Sequence, residues 1–412
     1  MVPPCPRAVE ATEARPTGQR LSTLAVVASR FDPSPVPDPA ALGFDLDRVE
    51  ELFDRVRRDV DAGLMPSCQL ALAREGRIAV TRTFGAAEPG SRYTIYSATK
   101  PIVASAIWVL MGDGLLDISR RVAEIVPAFA SNGKDVITVE QVLLHTSGFP
   151  HAPFDPLEWE DRAQRDARFA QWRCNWEPGT RFEYHATSAH WVLAEIIERC
   201  TGADFRVFVR EQILDPHGLD ELQIGVAREQ QHDINDTVLT GEPTPPDELE
   251  AVLGIRSLPL TEVTPGALMR FNRPDVRAVG VPGGGGVSTA TDLALFYQAL
   301  LHNPAGVWKS EILADATSNV RNRFPDYIGT PANRTIGLVV AGDDGRSGAR
   351  GMGKTVSPRA FGHDGAGGQI AWADPATGVS FCYLTNGLDQ HQLREWRRTT
   401  AVASRAASCV VR

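Results

Sequence analysis

Lysine is scarce in this 412-residue chain. Only Lys100, Lys134, Lys309 and Lys354 carry it, so 38 of the 42 basic residues are arginine. Arginine effectively cannot lose its proton, whereas a buried lysine can. A lysine kept in such a composition is a candidate for chemistry that needs a neutral amine. Cysteine is also sparse. Cys5, Cys68, Cys174, Cys200, Cys382 and Cys409 contain no C-x-x-C pair. That excludes a recognisable disulfide framework or zinc site. Cys68, Cys200 and Cys382 lie in apolar patterns and read as buried thiols. No apolar run reaches the ~18 residues of a membrane span. Excess positive charge is missing too. The formal net charge of -9 argues against a nucleic-acid partner, which would need a basic surface.

Several catalytic signatures are absent. No serine sits in a G-x-S-x-G elbow, which argues against an α/β-hydrolase. There is no H-E-x-x-H, and His185 and His190 are five apart, the wrong spacing for two ligands on one helix face. No metal and no cofactor are expected. The segment "LSTLAVVAS" (21–29) has too short an apolar core for a signal peptide, and Glu10 and Glu13 interrupt the leader. The expected compartment is the cytoplasm, with export as the lesser alternative.

What is present reads as a globular chain: 43% hydrophobic and 23% charged residues, ordinary values for such a protein. Residues 1–42 hold eight prolines and one aromatic, Phe31, and read as a disordered arm. From residue 43 to 412 one large globular domain is expected. "FDLDRVEELFDRVRRDVDAG" predicts a helix, with Asp47 and Glu50 suited to a capping box and Gly63 to the stop. "SCQLALAR" (67–74) and "RIAVTRTFG" (77–85) predict a hairpin turning at Glu75-Gly76. Residues 188–202 and 288–303 predict helices, the second capped by Ser288 or Thr289. "RTIGLVVAG" (334–342) predicts a strand, 367–387 a hairpin and 389–407 a last helix. Strands at both ends and helices between them predict an α+β fold. An antiparallel sheet would be built from both chain ends and flanked by helices, with a mostly helical lobe inserted at roughly 115–280. The cleft between sheet and lobe is the default pocket.

Two glycine-rich stretches resemble phosphate loops and fail on context. "GARGMGKT" (348–355) matches G-x-x-x-x-G-K-[ST], but no strand leads directly into it and Pro358 blocks a following helix. Gly283–Gly286 lacks G-x-G-x-x-G spacing and reads as backbone passing close to something else.

The chemistry-bearing stretch is "YSATKP" (96–101), at the head of an apolar helix. Positions i and i+3 share a helix face, so Lys100 can approach Ser97. Free N–H groups and the positive end of the dipole surround a hydroxyl placed there. The pair alone fits either a nucleophile armed by a desolvated lysine or a helix end with a solvated lysine. Ser131-Asn-Gly-Lys134 has the same spacing and reads as a polar turn. Tyr184 alone reads as a core aromatic, His145 as a loop tie, and Trp159, Trp172 and Trp176 as lobe core or pocket wall.

In order along the chain, "YSATK", "ITVEQVLLHTSGF" (137–149), "FEYHATSAHWVLAEIIE" (182–198), "GGGGVSTATDLALF" (283–296) and "FGHDGAGG" (361–368) resemble the motifs of the serine β-lactamase and penicillin-binding-protein superfamily, in its class C and family VIII esterase branch. The resemblance covers about residues 44–400. It implies the β-lactamase/transpeptidase fold and an acyl-enzyme on Ser97. Lys100 and Tyr184 would share general base and acid work. His363 would stand for the third-motif lysine and donate to substrate or to Tyr184. Gly365 would leave room on the edge strand, and the Ala366 N–H would join that of Ser97 as the oxyanion hole. Two departures bear on substrate. Ala186 replaces the asparagine of Tyr-x-Asn, and His363-Asp364-Gly365 replaces Lys-Thr-Gly. Both favour a carboxylesterase on small esters. The alternatives are a β-lactamase or D-amino-acid peptidase and, in another class, a non-catalytic binding module. The expected partner is a small ester or amide, with no nucleic acid and no membrane span.

Overall fold

Alternation along "SCQLALAR" sorts its side chains onto two faces, as the twofold period of a strand requires. Leu70 and Leu72 join one core, and Ala71 and Ala73 join another. The computed structural model describes residues 30–258 and 263–410. Its main sheet comprises β1 (Ser67–Arg74), β2 (Arg77–Gly85), β3 (Val339–Val340), β4 (Phe361–Gly362), β5 (Ile370–Asp374) and β6 (Val379–Thr385), in spatial order β2-β1-β6-β5-β4-β3. Every pairing in it is antiparallel. The sheet therefore draws strands from both ends of the chain, and the fold is α+β.

The turn between β1 and β2 falls where expected. Glu75 and Gly76 both have positive φ, 56° and 71°, the pattern of a two-residue hairpin turn that matches strand twist. One face of the sheet carries large side chains, Leu70, Leu72, Trp372, Phe381 and Tyr383. Against it pack the helices α1 (Leu46–Asp61), through Leu52, Phe53 and Val56, and α5 (Gln392–Ser408), through Val402, Ala403 and Ala406. The other face is rich in alanine (Ala71, Ala73, Ala371, Ala373). Helix α4 (Ala290–His302) lies on it with Leu293 and Phe296 inward, above the core of α2 (Lys100–Gly112) and α3 (Ser188–Thr201). Thr289 caps α4 by accepting from Asp292 N.

The structure corrects several local expectations. Residues 1–29 of the expected arm lie outside the described residues. Residues 30–42, however, pack on the domain. Phe31 stacks on His217 at 5.9 Å, Arg30 pairs with Asp220, Val36 N donates to Ile78 O, and Leu42 is buried. A few specific contacts anchor a segment whose composition is loop-like. The cap of α1 is Asp45, which accepts from Asp47 N and Arg48 N, rather than a box built on Asp47 and Glu50. Only Val339–Val340 of 334–342 is a strand. Thr335 and Leu338 close a tight turn, and Gly337 has φ +127°. A Cβ on Gly337 would stand 2.3 Å from the Ala104 Cβ, so α2 crosses that point too closely for a regular side chain.

Within 115–280 the regular elements are chiefly helices, joined by long irregular stretches, but the region also contributes two- and three-residue strands. Gln223–Ile224 and Ile234–Asn235 join Gly286–Ser288 and Arg92–Thr94 in a second sheet, and Val238–Thr240 pairs with Gly387–Asp389. The phosphate-loop look-alike packs on α5 instead, where a Cβ on Gly353 would meet Ser404 N at 2.5 Å. Ser131-Asn-Gly-Lys134 is a turn, yet its lysine is buried. Lys134 Nζ reaches Ser131 O and Trp172 O, both at 2.7 Å, and ties the turn to the loop after a helix.

Candidate active site

The turn that carries Ser97 is stitched to the glycine run. Ile95 N donates to Gly286 O at 2.9 Å, and Gly286 N donates to Thr99 Oγ1 at 2.9 Å. A Cβ on Gly286 would stand 2.7 Å from Thr99 Oγ1, and one on Gly283 3.1 Å from Ala186 O. These glycines therefore bring three chain segments together, and no phosphate is needed to account for them. Tyr96 has φ +45°, a strained conformation for an aromatic residue. Its hydroxyl donates to Thr237 Oγ1 at 2.8 Å and its ring meets Phe271 edge-on at 5.4 Å. The strain is thus held by the surroundings. A 3-10 turn, Tyr96–Thr99, precedes α2. Within residues 91–100, all but Ser97 are buried.

Lys100 is 1% exposed. Its Nζ lies 2.7 Å from Ala186 O, 2.6 Å from Gly283 O and 3.2 Å from Ser97 Oγ. A neutral amine has two N–H groups and one lone pair. The two carbonyls can only accept, so they take the two N–H groups and leave the lone pair facing the Ser97 hydroxyl. Burial, aided by the Arg334 charge, holds the Lys100 pKa well below the ordinary lysine range. Geometry and electrostatics both describe a lysine able to act as a base.

Tyr184 closes the group. Its hydroxyl faces the Ser97 side chain, and its ring lies 5.0 Å from Lys100 Nζ and stacks on His145 at 5.0 Å. Burial pushes the phenol up, while the Arg334 charge pulls it down. Both shifts run toward the uncharged forms of the lysine and the tyrosine. His145 ties loops, as expected: its Nδ1 accepts from His185 N at 3.1 Å and its carbonyl accepts from Glu183 N.

Gly365 runs directly against the nucleophile turn. A Cβ there would stand 2.3 Å from Ile95 O. The N–H groups of Ser97 and Ala366 donate to no backbone or side-chain acceptor among the described residues. Gly365 thus brings the segment that holds Ala366 against the turn that carries Ser97.

His363 departs from expectation. Its Nδ1 lies 2.7 Å from Asp364 O and its Nε2 lies 3.2 Å from Arg334 NH1. The carbonyl accepts and the guanidinium donates, so Nδ1 carries the proton and Nε2 accepts. Neither nitrogen is left to donate to Tyr184 or to a substrate. Burial and the neighbouring Arg334 charge disfavour the protonated ring. Sequence reading missed the cation that is present, Arg334, which had been placed at a strand end. No spacing signal marks it, since a hairpin 29 residues before His363 delivers it. A cavity of about 490 Å³, lined by Glu140, Gln141, Leu144, Thr146 and the 321–325 loop, lies beside the His145 segment, and Ser97 is not among its walls. Among the described residues no helix is long and apolar enough to cross a membrane.

With this geometry in place, the comparisons identify the family. A family model described as "Beta-lactamase" matches residues 52–404, and the chain belongs to that family. The relative "Esterase/beta-lactamase LipL" of Mycobacterium tuberculosis (strain ATCC 25618 / H37Rv) is 28% identical over 71% of this chain and 69% of its own length. A penicillin-binding protein homolog from Caulobacter crescentus superposes with a TM-score of 0.71 at 26% identity, covering 92% of this chain and 99% of that one. A family VIII carboxylesterase gives 0.69 at 25% identity, over 87% and 97%. The chain is therefore a member of a serine hydrolase superfamily with the β-lactamase/transpeptidase-like fold.

Proposed function

We propose that the protein is a carboxylesterase that works through an acyl-enzyme on Ser97. The observation that carries the reading is the buried Lys100 Nζ, held by two carbonyls and set 3.2 Å from Ser97 Oγ. Lys100 takes the Ser97 proton, directly or through the Tyr184 hydroxyl. Oγ then adds to the ester carbonyl, and the oxyanion is received by the N–H groups of Ser97 and Ala366. Each such donor contributes on the order of 10²–10³ in rate. Collapse expels the alcohol, protonated through Tyr184. Water then repeats the sequence on the acyl-enzyme, with Lys100 and Tyr184 returned to their starting protonation states.

Three features support an ester over a β-lactam. The Ala186 methyl cannot bond an amide side chain. His363 is neutral and has no free donor. Beside the oxyanion donors lies a small apolar cluster of Tyr96, Leu268 and Leu388, flanked by Phe271 and Ala366, which suits an uncharged acyl group. The test compares kcat/KM for short-chain p-nitrophenyl esters with that for a chromogenic cephalosporin. The expected result is ester turnover at least ~100-fold more efficient, the loss that accompanies unpaired polar groups in a site. Equal turnover of the two would overturn the esterase reading and move a β-lactamase to the front.

A further inference from the structure

Arg334 is 9% exposed and has no carboxylate within ion-pair distance among the described residues. Its Nε has no hydrogen-bond partner. A buried guanidinium in this condition is unfavourable and calls for an explanation. Its surroundings supply one. The guanidinium carbon lies 5.1 Å from the centre of the Tyr184 ring and 5.4 Å from that of Phe182, while NH1 donates to His363 Nε2. The main chain is clamped as well. Arg334 N donates to Asn322 O, and its carbonyl accepts from Arg321 N and Asn322 N. Asn322 in turn holds Leu144 O through Nδ2 at 2.9 Å, next to the His145 that stacks on Tyr184. The hairpin base, the His145 loop and His363 thus converge to fix one cation against one tyrosine.

We infer that Arg334 is a positioning residue that acts through Tyr184, setting a cation against its ring so that the phenolate is favoured, with His363 serving as its fixed acceptor. The inference rests on the proposed hydrolase reading. In it, a residue from the 322–334 hairpin supplies the site's fixed positive charge in place of the third-motif lysine. The other ionisable groups facing the pair are Lys100 on α2, His145 and His185 on the adjoining loops, His190 on α3, and His363 and Asp364 after β4, with Asp326 further along the hairpin. The four histidines are neutral because burial disfavours their charged forms, so Arg334 is the permanent positive charge of the group.

Removing the charge makes both proton acceptors hold their protons more tightly. Tyr184 loses the cation that favours its phenolate, and Lys100 loses the like charge that disfavours its ammonium. Both changes move the acid limb of the kcat/KM profile to higher pH. Arg334→Gln is therefore expected to shift that limb up by about one unit or more, the effect of a charge at this range. It is expected to lower kcat/KM at pH 7 by about tenfold or more, with recovery at alkaline pH. Arg334→Lys keeps the charge and is expected to hold the limb within about half a unit while losing the fork geometry. In a Tyr184→Phe background the Arg334→Gln effect is expected to shrink to a few-fold, since the two act as one unit. Should Arg334→Gln fail to fold, Arg334→Met fills the space between the two rings without charge and is measured in the same way. A uniform loss at every pH, a full-sized effect in Tyr184→Phe, or a loss confined to esters bearing a free carboxylate would each overturn the inference. Absence of ester hydrolysis by wild type would instead remove the functional reading beneath it.

Discussion

Gly365→Ala tests the geometry of the oxyanion hole with one methyl group. The added Cβ would stand 2.3 Å from Ile95 O and 3.0 Å from the Gln369 Cβ. A carbon and a carbonyl oxygen normally approach no closer than about 3.3 Å, so the backbone must open by roughly 1 Å. Ile95 O cannot retreat freely, because it accepts Ala98 N at 3.1 Å and opens the turn that carries Ser97. Residue 365 is likewise held, by paired bonds to Gln369 at 3.0 and 3.1 Å. The displacement therefore falls on the next peptide, whose N–H belongs to Ala366. A misplacement near 1 Å in a reacting array costs on the order of 10²-fold, and losing one oxyanion donor costs a similar amount. Gly365→Ala is expected to lower kcat on a short-chain ester by about 100-fold with KM nearly unchanged, because the lost contact forms in the transition state. Thermal denaturation serves as the control, since overpacking of this kind costs about 1–3 kcal/mol and leaves the protein folded. A Gly365→Ala enzyme within threefold of wild type, with an unchanged melting temperature, would refute the reasoning.

Other outcomes follow from the same structure. Lys100→Arg is expected to be as inactive as Lys100→Met, each down by about 10²–10⁴-fold, because a guanidinium cannot give up its proton. Activity in the arginine variant measured by ester hydrolysis would contradict a neutral base. Asp292, at the start of α4, is 3% exposed and accepts Glu221 N at 2.8 Å. Burial raises its pKa to about 6 from an ordinary 3.8. The folded protein therefore binds a proton that the unfolded chain releases between those values, and this contribution grows as pH falls through about 6. Relative to Asp292→Asn, wild type should gain stability, on the order of 2–3 kcal/mol at most, between pH 7 and pH 4 in denaturant titrations. Parallel curves would show that Asp292 carries no such linkage.

The four long strands of the sheet were legible because they are long enough to show a strand pattern and their first turn holds Gly76, whereas Val339–Val340 and Phe361–Gly362 are too short to show one. The group of Ser97, Lys100 and Tyr184 was legible because each residue sits in a motif of distinctive residues in a fixed order. The unread features are those set by contacts distant in sequence. Arg334 gains its meaning from Asn322, His363 and two aromatic rings, none of them a neighbour in the chain. His363 was assigned a donor's role from its motif position, but the tautomer is decided by the Asp364 carbonyl and the arginine. The strands at 223–224 and 234–235 are too short to show any period. The buried state of Lys134 depends on Trp172 O from another segment. Asp45 outcompetes Asp47 as a cap because its own backbone is extended, at φ -83° and ψ 111°, which composition does not reveal.

The central claim is that Ser97 is an activated nucleophile. Intact-protein mass after exposure to a fluorophosphonate, on wild type and on Ser97→Ala, tests it most directly. The account predicts one adduct on wild type and none on the folded variant. An adduct that persists in Ser97→Ala, or none on folded wild type, would contradict it.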